Sequence, residues 1–307
     1  MDQIQSIRVF ARVVEAGTFT KAAESLNLPK GTVTKLVQHL EARLKVKLLN
    51  RTTRRVTVTP DGAAYYERTV RVLNDLDDIE ASMTNAQASP SGRLRVDVGS
   101  SVAREIIIPA LADFYRRFPD IHLDLGVSDR SVDLLADNVD CVIRGGELLD
   151  QSLVARRVAN VPLIAVASPV YLKMHGTPTH PEQLESEHTM VNHFSTRNGR
   201  PFANEFEKDG QMLEISGRYK LSVNESNAMT AAVLAGLGVA QMASFTAMPL
   251  IERGELVRVL SDWTCLTIPL YVVYPPNRHL SAKVRAFVEW VADLMSRHPH
   301  MARPYSG

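Results

Sequence analysis

Cysteine is nearly absent from this chain: Cys141 and Cys265 are the only two in 307 residues, and neither has a CxxC neighbour. A disulfide framework is therefore excluded, and buried, inert thiols are expected unless the fold brings the pair within bonding distance. Long apolar runs are missing too, none approaching the roughly 18 residues that a membrane-spanning helix needs. The opening MDQIQSIRVF lacks the basic-then-apolar layout of a signal peptide, so a cytoplasmic location and no membrane partner are expected. Catalytic signatures are likewise lacking. His175, His180, His188 and His193 are irregularly spaced through a stretch broken by Pro178 and Pro181, with no HExxH, GxSxG or Walker pattern nearby. The GLG triplet at 236 to 238 lacks GxGxxG spacing and does not follow a strand, which argues against a dinucleotide site. No metal and no cofactor are expected, and the chain reads as a non-enzyme.

A large net charge is also absent, but the balance of +1 hides a division. Residues 1 to 60 hold eleven Lys and Arg against four Asp and Glu, a net of +7, which leaves −6 for the other 247 residues. A basic head on an acidic body implies that the head alone meets a polyanion.

Within the head, Ile4, Ile7, Phe10, Val13 and Val14 recur at helical spacing until Gly17. Thr18 is placed to cap a short second helix over 21 to 26, whose Ala22 and Ala23 permit a close crossing. Asn27 and Leu28 make a corner, with Pro29 as the first residue of a third helix. Val33, Leu36, Val37, Leu40 and Leu44 face the core, leaving Lys30, Gly31, Thr34, Lys35, Gln38 and His39 outward. Such a face suits a major groove: the lysines reach phosphates or guanine edges, Thr34 meets a thymine methyl, and Gly31 lets the backbone approach. The β-prone runs VKLL and VTVT then flank Arg51, Arg54 and Arg55, a hairpin whose basic tip reaches a backbone or minor groove.

These residues carry a specific resemblance. Over 1 to 66, IRVFARVVEAGTFTKAAESLNL followed by PKGTVTKLVQHLEARLKVKLLNRTTRRVTVTPDG resembles the winged helix-turn-helix of LysR-type transcriptional regulators. The DNA-contacting set is then Thr18, Thr20, Lys30, Gly31, Thr32, Thr34, Lys35, His39, Arg51, Arg54 and Arg55. Lys30 stands where the family often has Gln, Gly31 where Ser or Pro is frequent, and Lys35 where Arg is common. The fold carries over; the operator sequence does not.

From Pro60 the pattern is helical to about Ala88, with Tyr65, Thr69, Val72, Leu76, Ile79 and Met83 stepping as a heptad seam. The resemblance makes this the linker helix that pairs two subunits. Ser89 to Gly92 then read as a hinge.

Beyond it, RLRVDVGS, IHLDLGVSD and VDCVIRGGE read as strands, with a helix over 105 to 118 between the first two. Parallel βαβ units follow, and ligands collect beyond the carboxyl ends of such strands. Ser100, Ser101, Ser128, Asp129, Arg144 and Gly145 are the groups there. Arg144 also has a purely internal reading, an ion pair, and Ser100 and Ser101 one as helix caps. A second unit starts near PLIAVASPVYL, with a hairpin turning at Asp209-Gly210, a helix in AMTAAVLAGLGVAQM whose Gly236 and Gly238 turn into another strand, a returning strand in PLYVVYPP and a closing helix over 282 to 295. The stretches GRLRV, FYRRFPDIHLDL, DCVIRGGELLDQSLVARR and AVLAGLGVA resemble the effector domain of the same family. That resemblance implies a small inducer between two lobes, held at Ser100 to Val102, near Ser128, and at His193, Phe194, Asn224 and Ser226.

The expected fold is therefore α/β overall: a winged helix-turn-helix at 1–59, a linker helix and hinge at 60–91, and a two-lobed, periplasmic-binding-protein-like effector domain at 92–307. Lobe I takes 92–161 and 268–307, and lobe II takes 162–267. The expected function is inducer-controlled binding of promoter DNA by a homodimer or homotetramer, with RNA polymerase as a further partner. An architectural DNA-binding protein without a ligand is the alternative, and a two-lobed α/β enzyme a more distant one.

Overall fold

The computed structural model describes residues 2–51, 56–84, 89–130, 134, 137, 139–146, 152–276 and 280–301. The chain forms two compact units, Met1–Ala88 and Ser89–Gly307.

In the first unit, helix α1 (Gln3–Ala16) is capped by Asp2, whose carboxylate accepts from the Ile4 N–H at 3.0 Å. Val9, Phe10 and Val13 on its inner face are buried against Ala22 and Ala23 of α2 (Phe19–Ser25) and against Val33, Leu36, Val37 and Leu40 of α3 (Lys30–Leu44). Burial of each large side chain contributes on the order of 1.5–3 kcal/mol. Thr18 caps α2 as expected, accepting from the Lys21 N–H at 3.2 Å, although the helix begins at Phe19 rather than Lys21. Pro29 is the N-cap of α3 rather than its first residue: its backbone is extended, and its carbonyl accepts from Thr32 and Val33.

The expected strand over VKLL is mostly absent. Lys45, in the left-handed region at φ 55, ends α3, and β1 (Leu49–Arg51) starts only afterwards. It pairs antiparallel with β2 (Val56–Val58), so Arg51 lies within a strand and not at the turn. Arg54 and Arg55 fall outside the described residues.

Helix α4 (Pro60–Thr84) begins tightly against this hairpin. A Cβ on Gly62 would come within 2.0 Å of the Leu48 carbonyl oxygen, so only glycine fits there. The inner face of α4 is Tyr66, Val70 and Leu73, packed on Ile7 and Ala11. Of the expected heptad seam, Tyr65 meets the edge of Phe10 at 5.7 Å, Val72 is 63% exposed and Leu76 is half-buried. The side chains of Ile79 and Met83, and residues 85–88, are outside the described set. The first turns of α4 are thus part of the head's own core, and of the seam positions Val72 lies open.

The second unit is built on a seven-stranded sheet with β3 (Gly92–Val98), β4 (Ile121–Val127), β5 (Cys141–Gly145), β6 (Val154–Ala167), β11 (Ala240–Ala243), β12 (Val257–Arg258) and β14 (Thr267–Tyr274). Its order is β11-β6-β14-β5-β3-β4, with β12 also on β6. β3 is parallel to β4 and β5, as the βαβ pattern requires, whereas β14 returns antiparallel between β5 and β6. The expected lobe boundary at residue 162 falls inside one continuous strand. β6 pairs with β14 up to Pro162 and with β11 from Leu163, so the proline sits where the strand changes partners and its missing N–H breaks no ladder.

The two ends of β6 belong to different cores. One gathers Phe114, Phe287 and Trp290, with helix α11 (Ala282–Ser296) closing over it as expected. The other cores lie around β7 (Met190–His193), β10 (Tyr219–Val223), α9 (Ser226–Leu234) and α10 (Ser244–Glu252). β7 and β10 are parallel neighbours. The anticipated hairpin is β8 (Asn204–Lys208) and β9 (Gln211–Ile215), whose turn has Asp209 at φ 51 and Gly210 at φ 80, the two positive values of a type I′ turn.

One helix departs from expectation. The run placed at 105 to 118 starts five residues earlier, as α5 (Ser100–Val102), a π-helical turn at Ala103–Ile107 and α6 (Ile108–Arg117). Helix α9 ends at Leu234, Gly236 turns the chain at φ 80, and β11 follows at Ala240, as the two glycines imply. Among the described residues no helix is long and apolar enough to cross a membrane.

Candidate functional site

Two sets of residues stand out, one in each unit. On α3 Val33, Leu36, Val37 and Leu40 are buried and Leu44 half-buried, while Lys30, Gly31, Thr32, Lys35 and His39 are exposed on the other side. Thr34 is half-buried, and its hydroxyl donates back to the Lys30 carbonyl at 3.0 Å. Thr20 is exposed, and Thr18 is half-buried with its hydroxyl engaged in capping.

Sequence reasoning missed the group that fixes this helix to the hairpin. Glu41 on α3 is only 4% exposed, and its Oε1 accepts from the backbone N–H groups of Leu48 at 3.0 Å and Leu49 at 3.2 Å. Lys47 donates to Oε2 at 3.3 Å. Thr59 completes the joint: its hydroxyl lies 2.7 Å from the Lys47 carbonyl oxygen and accepts from the Gly62 N–H at 2.9 Å, tying the start of α4 to the same turn. Glu41 lies four residues after Val37 on the core face, and a carboxylate there was the available signal.

In the second unit, the expected effector residues are brought together only in part. Ser100 opens α5 and is 4% exposed. Asp129, just after β4, spans the two lobes: its Oδ1 accepts from the Ser100 N–H at 2.6 Å, and its Oδ2 from the Ser226 N–H at 2.6 Å and hydroxyl at 2.7 Å. Burial pushes this carboxyl upward, but hydrogen bonds from Ser100 and Ser226 outweigh it and hold the group below the usual carboxylate range. His193, at the end of β7, stacks on Phe202 with ring centroids 5.6 Å apart. Burial holds its imidazole below the usual range despite the opposing charges of Asp129 and Glu225, and its Nε2 is buried with no partner among the described residues. Ser101, Ser128, Phe194 and Asn224 are half-buried around these strand ends.

Three of the expected contacts are otherwise occupied. Arg144 pairs with Asp97 and donates to the carbonyls of Ile143 and Arg130, so the internal ion pair describes it better than a free guanidinium. Val102 is a core residue, 7% exposed. Gly145 is paired with Leu270 of β14. Glu225 was missed: it caps α9, accepting from Asn227 at 3.0 Å and Ala228 at 2.7 Å. Asn192 was missed too; it is 2% exposed, and its amide has no partner among the described residues. A cavity of about 360 Å³ is lined by other residues, among them Arg104, Asn227, Thr246 and Arg253. Cys141 and Cys265 lie against separate cores, and burial raises both thiols, Cys265 to about 11.

A basic helix-turn-helix followed by a two-lobed α/β unit, with Asp129 bridging the lobes, defines a ligand-responsive DNA-binding regulator. Comparison with known proteins makes the class specific. Residues 4–63 match the bacterial regulatory helix-turn-helix protein, lysR family, and residues 87–296 match the LysR substrate binding domain. An HTH-type transcriptional repressor of Pseudomonas aeruginosa is 40% identical over 301 residues, 98% of this chain and 95% of that protein. The LysR-type regulator CrgA of Neisseria meningitidis is a structural relative with TM-score 0.60 and 31% identity, covering 94% of this chain and 97% of that one. The full-length virulence activator AphB of Vibrio cholerae aligns with TM-score 0.58 and 31% identity, covering 95% and 99%. The chain belongs to the LysR family of transcriptional regulators. It acts by binding DNA under the control of a small ligand, and it is not an enzyme.

Proposed function

We propose that this regulator works in the cytoplasm as a dimer paired through α4, and as a tetramer when effector domains also pair. Lys30, Gly31, Thr32, Lys35 and His39 enter a major groove, Thr18, Thr20 and Thr34 support that contact, and Arg51, Arg54 and Arg55 hold the flanking backbone. A small molecule binds between the lobes against Ser100, Ser101, Ser128, His193, Phe194, Asn224 and Ser226. It favours one arrangement of effector domains, and so changes the spacing of the recognition helices, the bend of the DNA and the access of RNA polymerase. The working divisions are 1–59, 60–91 and 92–307.

The observation that supports this reading best is α3, with Val33, Leu36, Val37 and Leu40 in the core and a basic opposite face exposed at its leading end. Pairing of two chains follows from energetics, because one head contacts too few phosphates for tight binding at cellular salt. The test is nuclease protection of the promoter next to the gene, with and without neutral, cationic and carboxylate metabolites. A protected pair of half-sites whose pattern changes with one metabolite is expected. Uniform protection of unrelated DNA, unaffected by any of them, would favour an architectural role.

A further inference from the structure

Asp129 is not an ordinary loop carboxylate. Its two oxygens are divided between Ser100 and Ser226, residues separated by 126 positions that open helical segments on opposite lobes. The exposed N–H groups of a helix start, together with the helix dipole, are what an anion would otherwise seek. Here one built-in carboxylate serves both starts at once, through three short hydrogen bonds. It remains ionised at neutral pH, because those bonds outweigh the effect of burial. Glu225, the N-cap of α9, places a second carboxylate one residue before Ser226. The His193 ring feels the charges of both Asp129 and Glu225, yet burial keeps it neutral, and its Nε2 is buried without a partner among the described residues. The groups around the two helix starts are therefore two carboxylates, an uncharged imidazole, and the Arg104 guanidinium, which is already paired with Glu105 and donates to Asn227.

We propose that Asp129 is a tethered anion that clasps the two lobes and excludes carboxylates from the cleft, so that the ligand admitted there is an uncharged or cationic hydrogen-bonding molecule. The ligand class rests on the reading of the cleft as the effector site; the clasp does not. A carboxylate entering at the helix starts would face the charge of Asp129 and find its donors already taken. An amine, an amide or a hydroxyl compound meets the reverse, with two acceptors at Asp129 and Glu225 and an open ring nitrogen at His193.

The experiment compares the full chain with Asp129→Ala, titrating acetate and benzoate, with acetamide and matched chloride as controls, by calorimetry and thermal melting. The wild-type protein is expected to show no saturable carboxylate binding. Asp129→Ala is expected to melt lower and to be restored by acetate but not by acetamide, with an affinity for acetate at least about tenfold above wild type. Equal carboxylate binding by the two proteins, or restoration by chloride to the same extent, would overturn the proposal. Should Asp129→Ala not fold, Asp129→Asn keeps the size of the side chain while removing its charge and one acceptor. Amide hydrogen exchange at Ser100 and Ser226 is then expected to speed up at least about tenfold, and unchanged exchange would overturn the clasp. These outcomes are separate from the promoter assay: acetate rescue with no metabolite-sensitive protection would remove the effector reading and leave the clasp standing.

Discussion

Replacing Glu41 with alanine should uncouple the recognition helix from the hairpin that follows it. The carboxylate is 4% exposed and is the acceptor for the buried N–H groups of Leu48 and Leu49. Leaving a buried donor unsatisfied costs about 1–3 kcal/mol, so two of them put the expected loss at roughly 2–6 kcal/mol. The ion pair with Lys47 adds little, because the lysine side chain is 76% exposed and a pair of that kind contributes less than about 1 kcal/mol. Lys47→Ala is therefore the control, and Glu41→Gln, which keeps one acceptor oxygen, should fall between the two. The assay is amide hydrogen exchange over residues 46 to 51 in the full chain, together with operator affinity. Exchange at Leu48 and Leu49 should accelerate strongly in Glu41→Ala and hardly at all in Lys47→Ala. Equal effects of the two substitutions, or a Glu41→Gln variant worse than Glu41→Ala, would show that the charge and not the backbone bonds holds the joint.

Four further outcomes follow from the same structure. Gly62→Ala should displace the start of α4 from the hairpin, since its Cβ would lie 2.0 Å from the Leu48 carbonyl oxygen; an unchanged melting temperature would count against that contact. Lys35→Ala should weaken operator binding by about 1–3 kcal/mol if it reads a base, and an equal loss on random DNA would make it a phosphate clamp instead. Val72→Asp or Leu76→Asp should break pairing through α4, where Val72 is 63% exposed, and light scattering that returns the wild-type mass would refute the seam. Burial depresses the pKa of His193, so the unfolded chain takes up its proton first as pH falls below about 6.5, and stability should drop from there towards the lower folded value. His193→Gln should flatten that part of the melting-temperature profile, and an identical pH slope would remove His193 as its source.

Much of the DNA-binding unit was legible in the residues. Helical spacing found α1 and α3, Thr18 was recognised as a cap, and the five apolar residues assigned to the core face of α3 are buried or half-buried. The hairpin at Asp209-Gly210 was equally plain, because few residue pairs other than Asn-Gly and Asp-Gly favour two successive positive φ values. The misplaced strand has a local cause: VKLL has strand propensity, but Lys45 had to close α3 first. Gly236 and Gly238, by contrast, marked the passage from α9 to β11. In α4 the heptad positions were noticed, and the face of Tyr66, Val70 and Leu73 was not, because two apolar stripes share one helix and only packing tells which is covered.

Sequence alone determined the two-part organisation, the charge division between head and body, and the kinship that joins them, since each depends on local pattern and composition. The tertiary structure decided which polar groups are free to act. Arg144 and Asp129 look alike in the chain, both charged residues at strand ends, yet Arg144 is neutralised by Asp97 within its own lobe and Asp129 reaches the start of a helix in the other. Hydrogen-bond partners 97 residues apart leave no trace in local periodicity. A long-range contact is set by the global fold, and so the chemical character of the cleft could be read only after the chain had closed around it.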